Sequence, residues 1–362
     1  MKAKLLIGLL TLRLVFHAAA HPHAGHRRHV QRDGNPLDPV IVWVDKAGQI
    51  VHVEDDKHQT PNAAQEPTDL SLPLPLPAAN DLLSHLPIQV PDLTPEPGPP
   101  APAGPPPRRF GISYSPYNSD STCKTPAQID ADVARLTHHA FIRIYGVDCD
   151  QTRLVTQAAK THGMRVFAGV FDLPNLPASL DAITAAAAGD WAPFHTISIG
   201  NELVNRGAST PADVVAALHT ARAALRAAGY QGPVVTVDTF AALQRHPELC
   251  AASDYCAANC HAFFDEGMTP ERAGEYAMEQ ARRVSEAAGG KRTVIAESGW
   301  PHAGRANGRA VPSKENQRVA VESLRRVFAG EPDLVLFSAF DDLWKTDGEG
   351  TFDAEKFWGI QE

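Results

Sequence analysis

The chain has 362 residues, room for one large domain and an appended segment, with 42 acidic against 33 basic side chains. A net charge of −9 gives no reason to expect a nucleic-acid partner. The five cysteines lack the close pairs of a zinc site, and no apolar run is long enough to span a bilayer.

Residues 1–20 carry Lys2 and Lys4, a mostly apolar stretch from Leu5 to Phe16, and then Ala18-Ala19-Ala20. This is the pattern of a secretory signal peptide cleaved after Ala20. Residues 21–54 begin with a His-rich pro-segment, His21 to His29, containing the dibasic pair Arg27-Arg28. They continue with alternating apolar and polar residues that predict a short hairpin about Lys46-Ala47-Gly48. Residues 55–107 read as a linker. Thirteen of the 35 residues from Pro73 to Pro107 are proline, which favours extended geometry and cannot build a core. The N-terminal region is therefore expected to be largely disordered, with no N-glycosylation, since the chain has no Asn-x-Ser/Thr sequence.

From Phe110 the pattern changes to buried strands alternating with amphipathic helices. Candidate strands are 110–115, 140–145, 165–171, 196–201, 234–238, 254–261, 293–297 and 334–340. Thr125-Pro126, Thr210-Pro211 and Thr269-Pro270 each place a capping hydroxyl before a first-turn proline. Eight strands alternating with helices across residues 108–362 predict an α/β fold, a (β/α)8 TIM barrel. A doubly wound sheet is disfavoured because no Gly-rich phosphate loop follows the first strand. Cys123 is expected to pair with Cys149. Cys256 and Cys260 fall four residues apart on one predicted strand, roughly 13 Å, too far for a disulfide. Cys250 is thus left to bond one of the two, and one thiol stays free.

In such a barrel the side chains ending the strands share one mouth. Glu202 ends the fourth strand beside Asn201, and Glu297 ends the seventh before Gly299 and Trp300. A carboxylate at the end of a buried strand is costly without a partner or a task. Two of them facing each other suit glycoside cleavage, where one carboxyl protonates the leaving oxygen and the other attacks or activates water. Asn201 is placed to bond a sugar 2-hydroxyl, and Trp300, Phe264 and Trp344 offer flat faces to pyranose rings. Trp344 is read as an acceptor-side aromatic. Tyr114, Arg143, Tyr145, His261, Asp342 and Lys345 fall at the same ends and complete the candidate substrate-binding set.

Several runs then occur together and in order: Ile199-Gly200-Asn201-Glu202, Glu297-Ser298-Gly299-Trp300-Pro301, Arg143 to Cys149, Asn259 to Asp265, and Phe357-Trp358-Gly359. Residues 110–362 resemble fungal glycoside hydrolase family 17, the β-1,3-glucanases and glucanosyltransferases of the cell wall. The resemblance implies a retaining mechanism with Glu202 as general acid/base and Glu297 as nucleophile. It also implies contact between Tyr145 and the nucleophile, and a strand-eight pair formed here by Asp342 and Lys345. The family commonly has Glu where this chain has Asp342, and His-Pro where it has His261-Ala262. No metal or cofactor is implied. The expectation is a secreted monomer of the cell wall that hydrolyses β-1,3-glucan, with no membrane partner after signal cleavage. The alternatives are a β-1,3-glucanosyltransferase and a non-catalytic glucan-binding wall protein.

Overall fold

The computed structural model describes residues 110–331 and 333–361, together with the backbone of three short strands, His26–His29, Ile41–Val44 and Ile50–Glu54. The expected signal peptide, hairpin turn and linker lie outside the described residues. The two expected hairpin strands pair antiparallel, with Trp43 opposite His52. The strand His26–His29 pairs with Ile41–Val44 and was not foreseen, because a run of His and Arg has no apolar alternation to mark it.

Eight parallel strands close into a barrel. They are β1 (Gly111–Ser113), β2 (Phe141–Arg143), β3 (Arg165–Val170), β4 (Phe194–Asn201), β5 (Val234–Thr239), β6 (Cys256–Asn259), β7 (Thr293–Ser298) and β8 (Leu334–Leu336). Between them run α1 (Pro126–Ala134), α2 (Gln151–Thr161), α3 (Leu176–Ala187), α4 (Pro211–Ala227), the short α5 (Phe240–Arg245) and α6 (Pro247–Ala252), α7 (Ala273–Ala287) and α8 (Lys314–Val327). Thr125 and Thr210 each accept from the third backbone N–H of their helices, in capping boxes that satisfy otherwise orphaned donors. Thr269-Pro270 opens a short 3₁₀ turn instead, just ahead of α7.

Strand alternation divides the core into two layers. Phe141, Phe167, Val235, Val237, Tyr255, Ala257, Val294 and Ala296 fill the barrel interior. Ile142, Val166, Ile197, Ile199, Ala258 and Ile295 pack outward with the helices. Among the described residues no helix follows β8. An irregular tail returns instead, with the Ser338 N–H bonded to the Trp358 carbonyl and the Ala339 N–H to that of Ser113 on β1. Cys123–Cys149 forms as expected, and Cys250 bonds Cys256 and leaves Cys260 free and buried. Burial pushes the Cys260 thiol pKa well up.

Candidate active site

The strand ends at the C-terminal mouth of the barrel bring Arg143, Asn201, Glu202, Asn259, His261 and Glu297 into one hydrogen-bonded cluster. Arg143 and Asn259 follow simple alternation, sharing the inward phase of Phe141 and Ala257. Asn201 and Glu297 do not. In an unbroken strand they would point outward with Ile199 and Ile295. The pairing register slips between Ser198 and Asn201 on β4 and between Ile295 and Glu297 on β7, and such bulges re-aim side chains. At β4 the turn is completed by Gly200 (φ +84) and by Glu202 itself (φ +54). The left-handed region is rare for a residue with a Cβ and is held only where surroundings over-determine it. Here the Glu202 N–H bonds the Val237 carbonyl at 2.9 Å. Asp238 accepts from the N–H groups of Val204 (2.9 Å) and Asn205 (3.2 Å) just beyond.

Arg143 is the hub. It is 1% exposed. Its Nη1 donates to Glu297 Oε1 (2.8 Å), the Ala296 carbonyl (2.7 Å) and Asn259 Oδ1 (3.3 Å), and its Nη2 donates to Asn201 Oδ1 (2.8 Å). Because an arginine can only donate, the Asn201 amide presents its oxygen to Arg143 and turns its NH2 away. Asn259 Nδ2 donates to Glu202 Oε1 at 2.9 Å. A continuous path therefore joins the two carboxyls, Glu202–Asn259–Arg143–Glu297. His261 Nε2 lies 3.2 Å from Glu297 Oε2. A carboxylate can only accept, so the ring donates there.

The two carboxyls carry opposite settings. Burial, and then the negative charge of Glu297, push the Glu202 carboxyl up to about 7, against the Asn259 N–H that favours the ionised form. Burial alone would raise Glu297 too. The Arg143 guanidinium, the His261 hydrogen bond and the charge of Lys345 overcome that and hold it at about 2. Tyr145 is raised by burial and by nearby Glu297. Its hydroxyl donates to Ser113 Oγ at 3.0 Å, and the Arg143 guanidinium lies 4.5 Å from its ring centre. One group thus sits half protonated near neutrality beside another that stays ionised, the division acid and nucleophile require.

The β8 loop adds Asp342, 6% exposed, between Lys345 Nζ (3.1 Å) and the indole N–H of Trp344 (3.1 Å). Burial would lower the Lys345 pKa. The charges of Asp342 and Glu355 raise it instead, keeping the ammonium charged. Phe264 is 44% exposed beside His261, at the rim.

Two expected residues are not at the mouth. Trp300 is fully buried, its N–H donating to the Val311 carbonyl and its ring packed edge-on to Phe263. Gly299 comes so close to the Phe337 carbonyl that a Cβ would lie 2.0 Å from it, and the turn there sends the indole into the packing of the β7–α8 segment, with no face left for a sugar. Tyr114 follows the inward Ser113 and so points outward, its hydroxyl on Asp132 of α1 at 2.7 Å. Asn259 is a site residue that the sequence reading did not single out, although its inward phase on β6 was the available signal. Glu355 was also missed. It reaches the surroundings of Lys345 and His261 from the irregular tail, which has no periodicity to read. Among the described residues no His, Cys, Asp and Glu group could hold a metal ion, and no helix is long and apolar enough to cross a membrane.

The BtgE/BtgC glycoside hydrolase domain model matches residues 111–359. The cell surface mannoprotein MP65 of Candida albicans is 46% identical over 253 residues, covering 69% of this chain and 66% of that protein. The probable family 17 glucosidase SCW10 of Saccharomyces cerevisiae is also 46% identical over 253 residues, covering 69% and 64%. The chain thus spans just under two thirds of the length of these curated relatives. A glycoside hydrolase family 17 β-1,3-glucanosyltransferase from Rhizomucor miehei superposes with a TM-score of 0.60 at 25% identity, over 69% of this chain and 92% of that one. An active-site mutant of the Rhizomucor miehei β-1,3-glucanosyltransferase, in complex with laminaritriose, gives a TM-score of 0.61 at 25% identity, with the same coverages.

Proposed function

Since the chain belongs to the BtgE/BtgC glycoside hydrolase family, we propose that it is a secreted retaining glycoside hydrolase of wall β-1,3-glucan. The observation that carries this reading is the opposite setting of two carboxyls joined through Asn259 and Arg143. Glu297, ionised, attacks the anomeric carbon while Glu202 gives its proton to the departing glycosidic oxygen, leaving a glycosyl ester on Glu297. Glu202, now a carboxylate, takes a proton from the incoming water. The water oxygen displaces Glu297, and two inversions return the β-anomer. The outward-turned Asn201 NH2 is placed to meet the 2-hydroxyl of the reacting sugar. Residues 1–20 serve as the leader, 21–54 as a pro-segment, 55–107 as a linker, and 108–362 as the enzyme. The cell-surface name of one relative supports a wall location.

A second reading is favoured by the glucanosyltransferase fold neighbour: a sugar hydroxyl takes the place of water in the second step and the wall is remodelled. The deciding experiment is proton NMR of the first products from a defined β-1,3-glucan oligosaccharide at low and high concentration. Shorter products with β-anomers formed first are expected. Products longer than the substrate would make transfer the main reaction. Initial α-anomers would overturn the retaining mechanism, and no turnover would leave a glucan-binding protein.

A further inference from the structure

Resting on that reading, we propose that Tyr117 and Trp344 form a sugar subsite on the glycone side of the cleaved bond, taking a glucosyl ring of the chain segment that stays with Glu297. Tyr117 follows β1 and Trp344 follows β8, and their ring centres lie 4.8 Å apart at 54°. The two half-buried rings form a notch rather than a stack. Each is held by its polar tip. The Tyr117 hydroxyl donates to Asp148 Oδ2 at 2.7 Å and accepts from Gln151 at 3.0 Å, while the Trp344 N–H is fixed on Asp342. The Cys123–Cys149 disulfide ties down both ends of the first bond. Cys123 bridges to Tyr117 in a short antiparallel pair, and Cys149 directly follows Asp148. Rings fixed before the ligand arrives lose little freedom on binding, and their apolar faces suit the C–H face of a pyranose.

The barrel order sets the side. In the closed ring of strands β8 lies four places from β4 in either direction, so the notch stands across the mouth from Glu202. The acid must sit beside the leaving oxygen, so the leaving part of the substrate lies towards β4 and the retained part towards β8 and β1. The notch is continuous with the nucleophile, because Asp342 holds both Trp344 and Lys345, and the charge of Lys345 acts on Glu297. This places Trp344 opposite to the acceptor side expected from the sequence.

The test compares wild-type full-length protein with Trp344→Ala, Trp344→Phe and Tyr117→Ala on β-1,3-linked glucose oligomers of increasing length. For Trp344→Ala, kcat/KM on the longer oligomers should fall about tenfold, through KM, with a shifted cleavage position. The transfer-to-hydrolysis ratio at fixed acceptor concentration should stay unchanged. Trp344→Phe should keep most of the activity. An unchanged chain-length dependence would overturn the proposal, as would a loss confined to transfer at high acceptor concentration. Titration calorimetry with the same oligomers in a Glu297→Gln background reads the subsite without turnover. There, weaker binding on adding Trp344→Ala supports the subsite even if the wild type is inert, and unchanged affinity overturns it even if the wild type is active.

Discussion

The ends of β4 and β7 present the same side chain at the same rim, each after a slip in strand register, and their neighbours make opposite chemical groups of them. Glu202 faces an uncharged amide, Asn259, and has the carboxyls of Glu297 and Asp238 near it. Glu297 faces Arg143, His261 and the ammonium of Lys345. Residue type therefore does not assign the roles. They follow from what the other strands contribute: β2, β6 and β8 send cations and a hydrogen-bond donor to Glu297, whereas β5 sends Glu202 a second carboxyl. Arg143 and Asn259 join the two settings, so a change at either residue should move the two glutamates unequally.

The largest effect is expected from removing each carboxyl in turn. Glu297→Ala and Glu202→Ala should each lose on the order of 10⁴-fold or more in kcat, and azide should tell them apart. With an activated aryl β-glucoside, azide in Glu202→Ala attacks the glycosyl ester and gives the β-glycosyl azide. In Glu297→Ala it takes the empty place of the nucleophile and gives the α-azide after one inversion. Product stereochemistry by NMR checks this, and the reverse pattern would exchange the assigned roles.

Arg143→Met comes next. It removes the main cation at Glu297 and leaves a buried charge short of its partner, a change costing about 3–5 kcal/mol. Urea denaturation measures the loss. The acid limb of kcat/KM, set by Glu297 near about 2, should move up by at least about one pH unit. An unmoved limb would assign the setting to His261 and Lys345 instead.

Asn259→Ala acts at the other end of the path. The Glu202 carboxylate loses a donor, so its pKa should climb beyond about 7 and carry the alkaline limb of the pH profile with it. The rate should fall about tenfold, the worth of one hydrogen bond to a charged group. A uniform loss with no shift of the limb would reduce Asn259 to a packing role.

The smallest effect concerns stability. Glu202 is raised above its ordinary 4.5, so its contribution to folding is full below about 4.5 and is lost as the pH rises through about 7. Glu297 is depressed, so its contribution is full above about 4.5 and is lost as the pH falls towards about 2. The wild type should therefore lose more Tm than Glu202→Gln between pH 4.5 and 7.5. Equal losses would mean that Glu202 is not raised.

The strand pattern of the sequence was enough to place all eight barrel strands, because buried parallel strands read as short apolar runs between helices that carry their own caps. The placement of Arg143 and Asn259 was legible in the same way, from their phase along β2 and β6. For Asn201 and Glu297 the phase points outward, and only the bulges bring them in. Their recognition rested on motif residues rather than on alternation. Trp300 was misread because a motif gives no direction to the indole, and the close approach of Gly299 to Phe337 joins segments far apart in sequence. For Tyr114 the phase was informative: it follows the inward-facing Ser113 by one residue and so points out towards Asp132.

The buried Cys260 bears on how this chain reaches its bonded state. Before β6 forms, three thiols lie within eleven residues, at Cys250, Cys256 and Cys260, and a thiolate at any of them can attack a disulfide made by the other two. Once β6 joins the barrel, Cys260 is enclosed and its thiol is held protonated, so it no longer supplies the attacking species. The odd cysteine is thereby chosen by packing, and the Cys250–Cys256 bond is protected from exchange by the same step that closes the wall around it.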